Sequence, residues 1–262
     1  MSIKTVIINL DRAKDRLAFQ KLQFSKLGLE FERLSADCPS HQENYERFKD
    51  SWERPMSFCE IAVFFNHKKA WEMVEARGEP MMILEDDAYL STDVLTLLDN
   101  ISRLDHIDFL SLEARGKNQR KLVARQPTTK IDDVNITRLY QGRSGLAGYI
   151  LWPPGAKKLL KAVQSGKIGI VDKFINAEYS LNAYQVEPAP LIQLDRCQHY
   201  GLPCPLHTAS YISSQGKKHV KGIATLRFKC RRIAGQVKIL VNEIMNRHRA
   251  VKRPINISGS FN

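Results

Sequence analysis

Met81-Met82-Ile83-Leu84-Glu85-Asp86-Asp87-Ala88 is the stretch on which the reading of this chain turns. Four consecutive apolar residues without polar alternation are the pattern of a strand buried on both faces, in the middle of a sheet. The run ends abruptly in three adjacent acids. Carboxylates crowded at the end of a buried strand repel one another and lose solvation, so they call for compensation. Open α/β sheets bind ligands beyond the carboxyl ends of their strands. A divalent cation with oxygen ligands would relieve the repulsion and would in turn hold a diphosphate. Strand alternation sends Glu85 and Asp87 to one side and Asp86 to the other. The competing reading is a solvated acidic turn.

On either side of this stretch, strand and helix patterns alternate. Upstream, Ser57 with Glu60 spells a capping box that opens a helix running through Val74 and closing at Gly78. Lys4 to Leu10 reads as a first strand and Asp11 as a helix N-cap, with the helix ending at Gly28. Phe31 to Ser35 is a second strand, and residues 38–54 a polar loop with room for one short helix. Downstream, Ser91 opens a helix reaching Ile101, and Asp108–Leu112, Ile136–Tyr140 and Ala147–Trp152 are strands. Residues 115–135 read as a mobile polar loop, Pro154–Val163 as a helix and Val186–Leu194 as extended. The order predicts an α/β sandwich with a mainly parallel central sheet.

Composition bounds the rest. With 262 residues, 43% hydrophobic and only 14 Gly and 11 Pro, the chain is neither disordered nor fibrous. No apolar run approaches the roughly 20 residues of a membrane-spanning helix. The apolar stretch near the N-terminus is a few residues long and reads as a strand, not a leader. Five cysteines with no CxxC pair fit reduced thiols in a cytoplasmic protein rather than a disulfide framework or zinc ribbon.

The net charge of +12 is concentrated in residues 217–262, which hold twelve Lys and Arg against the single acid Glu243. Residues 1–216 are nearly neutral, which places a boundary between a catalytic domain (1–216) and a basic helical tail (217–262). Ile233, Val237, Leu240, Val241, Ile244 and Met245 recur there at helical spacing. Such a helix either lies on an anionic membrane or docks its apolar stripe on the main domain. Before its last residues the tail has one aromatic, Phe228, which disfavours nucleic acid as the partner.

The acidic string resembles the hallmark of glycosyltransferase family 25, the bacterial lipooligosaccharide galactosyltransferases. Three further segments agree in order. Val6 to Arg12 with Asp15-Arg16 resembles the family's opening strand, and Glu60 to Trp71, containing Asn66-His67-Lys68, its helix. Gly148-Tyr149-Ile150-Leu151 with Gly155-Ala156, Leu159-Leu160 and Val171-Asp172 resembles its later block. The chain departs from the family in lacking Ser before His67 and in the Phe58-Cys59-Glu60 entry, positions that bear on donor and acceptor preference.

The resemblance implies a GT-A type, Rossmann-like fold that transfers a hexose from a metal-bound UDP-sugar with inversion. Galactose from UDP-galactose, joined in β-linkage to lipopolysaccharide at the cytoplasmic face of the inner membrane, is the specific expectation. Asp87 and Glu85 would face manganese or magnesium, with His199 (or His207) added as a late ligand. Glu85 or Asp86 would alternatively hydrogen-bond the nucleotide, near Asn9, Asp11, Arg12 and Arg16 at the end of the first strand. Asp172 is the expected general base, with Glu113 in reserve. The rival readings are a non-catalytic protein that binds a polyanion through its tail and a metal-dependent phosphohydrolase using the same carboxylates.

Overall fold

A computed structural model of the chain describes residues 3–36, 42–101, 104, 106–116, 118–143, 145–206 and 223–261. In chain order the elements are β1 (Lys4–Asn9), α1 (Lys14–Leu27), β2 (Glu32–Ser35), α2 (Gln42–Phe48), α3 (Phe58–Arg77), β3 (Met81–Glu85) and β4 (Ala88–Leu90). There follow α4 (Val94–Asp99), β5 (Phe109–Ser111), β6 (Lys121–Ala124), β7 (Thr129–Ile131), β8 (Val134–Gln141), β9 (Gly148–Leu151) and α5 (Pro153–Gln164). The chain closes with α6 (Val171–Ala177), β10 (Ala183–Glu187), β11 (Leu191–Gln193), α7 (Cys197–Tyr200), α8 (Ile223–Asn246) and β12 (Ala250–Arg253).

Among the described residues, one large sheet runs β12-β6-β8-β10-β5-β9-β3-β1-β2, with β7 paired to β8. The sandwich is α/β with a mainly parallel central sheet: β1, β2, β3, β5 and β10 point one way, and β9 is inserted against them between β3 and β5. Pairing is antiparallel on both sides of β9 and from β10 through β8 and β6 to β12. The apolar run of β3 explains its place. Met81 and Ile83 face one core with residues of α3, α5 and α6, while Met82 and Leu84 face the other with residues of α1 and α4. All four side chains are fully buried. Gly148 of β9 lets the sheet close here, because a Cβ would stand 2.1 Å from Leu191 Cδ1 and 2.7 Å from Leu84 Cδ2.

The capping box at Ser57 and Glu60 forms as expected, with both reciprocal hydrogen bonds made and Gly78 left-handed at the other end. Other expectations are corrected. Asp11 does not cap α1, whose N-cap is Ala13; its carboxylate is taken instead by Arg33 and by Ser35 Oγ at 2.8 Å. Residues 115–135 contain the strands β6 and β7 rather than a continuous loop. Helix α6 and the short strand β4, neither expected, bracket the acidic site.

The basic C-terminal segment is only partly a tail. After α8 the chain returns to the sheet, where β12 pairs antiparallel with β6. Arg253 then forms a bidentate ion pair with Glu187, Ser258 donates to Asp93, and Phe261 is buried against Tyr89. Residues 250–261 are therefore structurally part of the sheet domain that the boundary at 216 set them apart from.

Candidate active site

The three acids divide at the end of β3, Glu85 being its last residue and Asp86 and Asp87 forming the turn into β4. Asp86 turns toward β1 and α1, where it accepts hydrogen bonds from Asn9 Nδ2 at 2.9 Å and Arg16 Nη1 at 2.8 Å. Gln20 Nε2 donates to the backbone oxygens of Asp86 at 3.0 Å and Ala88 at 2.8 Å, so α1 clamps the turn. Glu85 and Asp87 face the other way, onto two adjoining cavities of about 150 and 370 Å³ that share Arg16, Val63, Glu85, Asp87 and Gln193. Asp87 Oδ1 is buried with no hydrogen-bond partner, and Arg16 Nη1 stands 3.8 Å from its Oδ2. Burial, together with neighbouring carboxylates, pushes both acids up to about 7. Desolvation leads in each; Asp172 and Asp86 add to it at Glu85, and Glu85 at Asp87.

A hydrogen-bond relay approaches Glu85 from below. Trp71 Nε1 donates to Tyr149 Oη at 2.9 Å, Tyr149 Oη lies 3.0 Å from His67 Nδ1, and His67 Nε2 lies 3.2 Å from Glu85 Oε1. In the tautomer in which Tyr149 donates its one proton to His67 Nδ1, the remaining ring proton is on Nε2, aimed at Glu85. Burial holds His67 down at about 4, so it is neutral and contributes a directed N–H rather than a positive charge. Sequence reasoning marked the His67 segment only as part of a resemblance. Its contact with Glu85 depends on how α3 lies over β3 and has no signature in spacing.

The far wall of the larger cavity carries Asp172, from the first turn of α6, which accepts from Arg115 Nη1 at 3.0 Å. Arg115, another residue that sequence reasoning missed, also stands 3.5 Å from Glu113 Oε1. Glu113 itself is fully buried, and its Oε2 accepts from the Ala147 N–H at 2.9 Å. Gly145, at φ +98°, lets the Glu113 and Arg115 side chains pass, since a Cβ there would meet both within 3 Å. The structure thus places Glu113, expected as the reserve base, in the interior beneath the site, lining neither cavity.

The remaining expected residues fall into two groups. Arg12 and Arg16 line the smaller cavity with Glu85, Asp86 and Asp87. Asn9 does not line it: the side chain is 1% exposed and is consumed by Ala13 O, Asp86 and Arg33. Asp11, paired with Arg33 and Ser35, also stands outside both cavities. His199, expected as a late metal ligand, is exposed on α7 with its ring against Gly116 and lines neither cavity. His207 lies outside the described residues.

No group of three His, Cys, Asp or Glu side chains suited to a metal occurs among the described residues. The donor set present is two carboxylates, Glu85 and Asp87, with mutual repulsion and one unpartnered oxygen. That set fits a hard divalent cation of the magnesium or manganese kind, which is commonly held by one or two carboxylates plus substrate phosphates and water.

Comparison with known proteins shows the family of the chain. A model of the family described as glycosyltransferase family 25 (LPS biosynthesis protein) matches residues 2–175. The chain belongs to glycosyltransferase family 25. The matched region contains β3, the His67 relay, Arg115 and Asp172. A Haemophilus influenzae protein named as a candidate glycosyltransferase is 28% identical over 180 residues, covering 66% of this chain and 62% of that protein. Human procollagen galactosyltransferase 2 is 23% identical over 180 residues, covering 66% of this chain and 26% of that protein. The chain thus spans less than two thirds of the length of these relatives. Among solved structures, a candidate glucose-1-phosphate thymidylyltransferase of Bacillus anthracis aligns over 81% of this chain and 99% of that one, with TM-score 0.40 and 10% identity. A likeness that loose carries no functional argument.

Proposed function

We propose that this family 25 transferase moves a hexose, galactose foremost, from a UDP-sugar to the growing oligosaccharide of lipopolysaccharide, with inversion to a β-linkage and in a metal-dependent way. The observation that carries the proposal is the Glu85–Asp87 pair: two raised carboxylates, one with an orphaned oxygen, at the carboxyl end of a central strand. The galactosyltransferase name of the human relative favours galactose, and the family's description favours the lipopolysaccharide acceptor. The work would be done on the cytoplasmic face of the inner membrane.

A manganese or magnesium ion held by Asp87 and Glu85 would neutralise charge on the UDP diphosphate. The chain's own residues supply the rest. His67 fixes the Glu85 carboxylate through its Nε2–H, and Arg16 and Arg12 offer positive charge to phosphate along the wall of the smaller cavity. Asp172 stands across the larger cavity, its carboxylate oriented by Arg115. In an inverting displacement the acceptor oxygen bonds the anomeric carbon as the bond to the diphosphate oxygen breaks. The acceptor's proton passes to Asp172 and UDP departs.

Calorimetry of UDP with and without manganese, on the wild type and on Asp87→Asn, tests the proposal. Binding that requires manganese and is lost in Asp87→Asn supports it. Absence of binding under every condition removes the transferase reading. Turnover of a UDP-sugar at full rate without any acceptor would point to the phosphohydrolase.

A further inference from the structure

Helix α8 meets the sheet domain with the face opposite to its apolar stripe. Arg231 Nη1 donates to the backbone oxygens of Asp50 at 2.7 Å and Trp52 at 3.0 Å, and Asn242 Nδ2 donates to Tyr140 O at 3.1 Å. Phe228 and Asn246 are buried on the same side. The stripe points outward: Leu226, Ile233, Val237, Leu240, Val241, Ile244 and Met245 are all about half exposed or more, and Leu22 is the one other large hydrophobic so exposed among the described residues. A contiguous row of this kind on a folded surface marks an interaction site. The helix cannot reorient freely, because β12 pins its far end to β6 and the Arg249 guanidinium lies 5.0 Å from the Tyr140 ring centroid.

The charges beside the stripe identify the occupant. At 100° per residue, Arg227 and Lys238 fall on one flank, and Lys229, Arg232 and Arg247 on the other, all of them exposed. The only acid, Glu243, is paired with Lys252 Nζ at 2.6 Å. Positions 226, 230, 233, 237, 240 and 244 alternate in steps of four and three, as a coiled-coil seam does. A second copy on that seam would bring basic flank against basic flank with no acid between, which disfavours self-association. Among the described residues no helix is long and apolar enough to cross a membrane. An apolar stripe between two cationic margins is instead the chemistry of a helix lying in the interface of an anionic bilayer.

We infer that the outward face of α8 is a lipid-docking surface for anionic membranes, held in place by the polar inward face and by β12. The inference rests on the helix alone and not on the transferase reading. On the inward side of the helix a groove of about 860 Å³ lies between α6 and α8, lined by Arg231, Gly235 and Ile239 and by Asp172.

The test is sedimentation of the full chain with phosphatidylcholine vesicles, with and without phosphatidylglycerol. Binding should require phosphatidylglycerol and weaken with added salt. The triple variant Lys229→Gln/Arg232→Gln/Lys238→Gln should lose on the order of a hundredfold in partitioning, at roughly fivefold per basic residue. Ile233→Ser/Val237→Ser/Leu240→Ser should lose a similar factor while keeping the thermal midpoint, since these side chains are more than half exposed. No partitioning of the wild type overturns the inference. So does a wild-type dimer in solution that the serine variant dissolves, which would assign the stripe to a second copy. UDP calorimetry without vesicles stays a separate readout, so failure of docking and failure of the transferase reading are distinguishable.

Discussion

Glu85 and Asp87 make the site costly for the protein alone. Burial and the neighbouring carboxylates raise both carboxyls to about 7, from ordinary values of 4.5 and 3.8, so the folded chain binds more protons than the unfolded one between those values. Stability from this pair is therefore full below about pH 4 and lost as pH rises through 7. The metal-free protein should melt lower at pH 8 than at pH 6, and manganese with UDP should restore the midpoint at pH 8. Asp87→Asn should raise the metal-free midpoint at pH 8 by a few degrees, about 1–2 kcal/mol, while abolishing UDP binding; scanning calorimetry reads the first and titration the second. Tyr149→Phe removes the hydroxyl that joins Trp71 to His67, and should cost about 1–3 kcal/mol of stability and weaken manganese-dependent UDP binding roughly tenfold. Asp172→Asn should leave UDP affinity unchanged and lower kcat by roughly 10²–10⁴ in a transfer assay. The acid triplet was legible in the sequence because adjacent charges after an apolar run are anomalous. His67 and Arg115 were not, because their partners are distant in the chain.

At the scale of elements, legibility followed the range of the interactions. Helix α3 carries its start signal in two residues three apart, and β3 carries its burial in four adjacent apolar ones. Strands β6 (Lys-Leu-Val-Ala) and β7 (Thr-Lys-Ile) are short runs that each carry a lysine, and they are fixed by pairing with distant strands; Lys121 hides in β6 by donating to Ser111 Oγ at 3.0 Å, Glu113 O at 2.9 Å and Gln185 Oε1 at 2.5 Å. A lysine in a four-residue run argues against burial until those acceptors are seen. The register of β9 depends on Gly148 slipping between Leu84 and Leu191. Gly148→Ala should cost about 1–3 kcal/mol by overpacking, read as a lower denaturation midpoint. It should also disturb the site, because Tyr149 follows directly in the relay.

For the whole molecule, the basic segment is two structures in one. Truncation after residue 246 keeps α8 but removes β12, the Arg253–Glu187 pair and the Ser258 contact to Asp93. That truncation should lower the thermal midpoint by roughly 10 °C or more or yield insoluble protein, as an unpaired β6 edge and exposed Phe261 contacts would follow. By itself the sequence determined what short-range chemistry can encode: a central apolar strand ending in acids, a capped helix over it, a charge excess confined to one segment, and an apolar stripe within that segment. Only the tertiary structure decided that the side bearing Glu85 and Asp87 faces the cavity with Asp172, that His67 meets Glu85, that Glu113 is buried beneath the site, and that α8 docks by the face opposite its apolar stripe. Those outcomes depend on contacts between residues tens of positions apart, where burial and the pairing of polar groups are settled by the packed fold as a whole and leave no periodic trace in the chain.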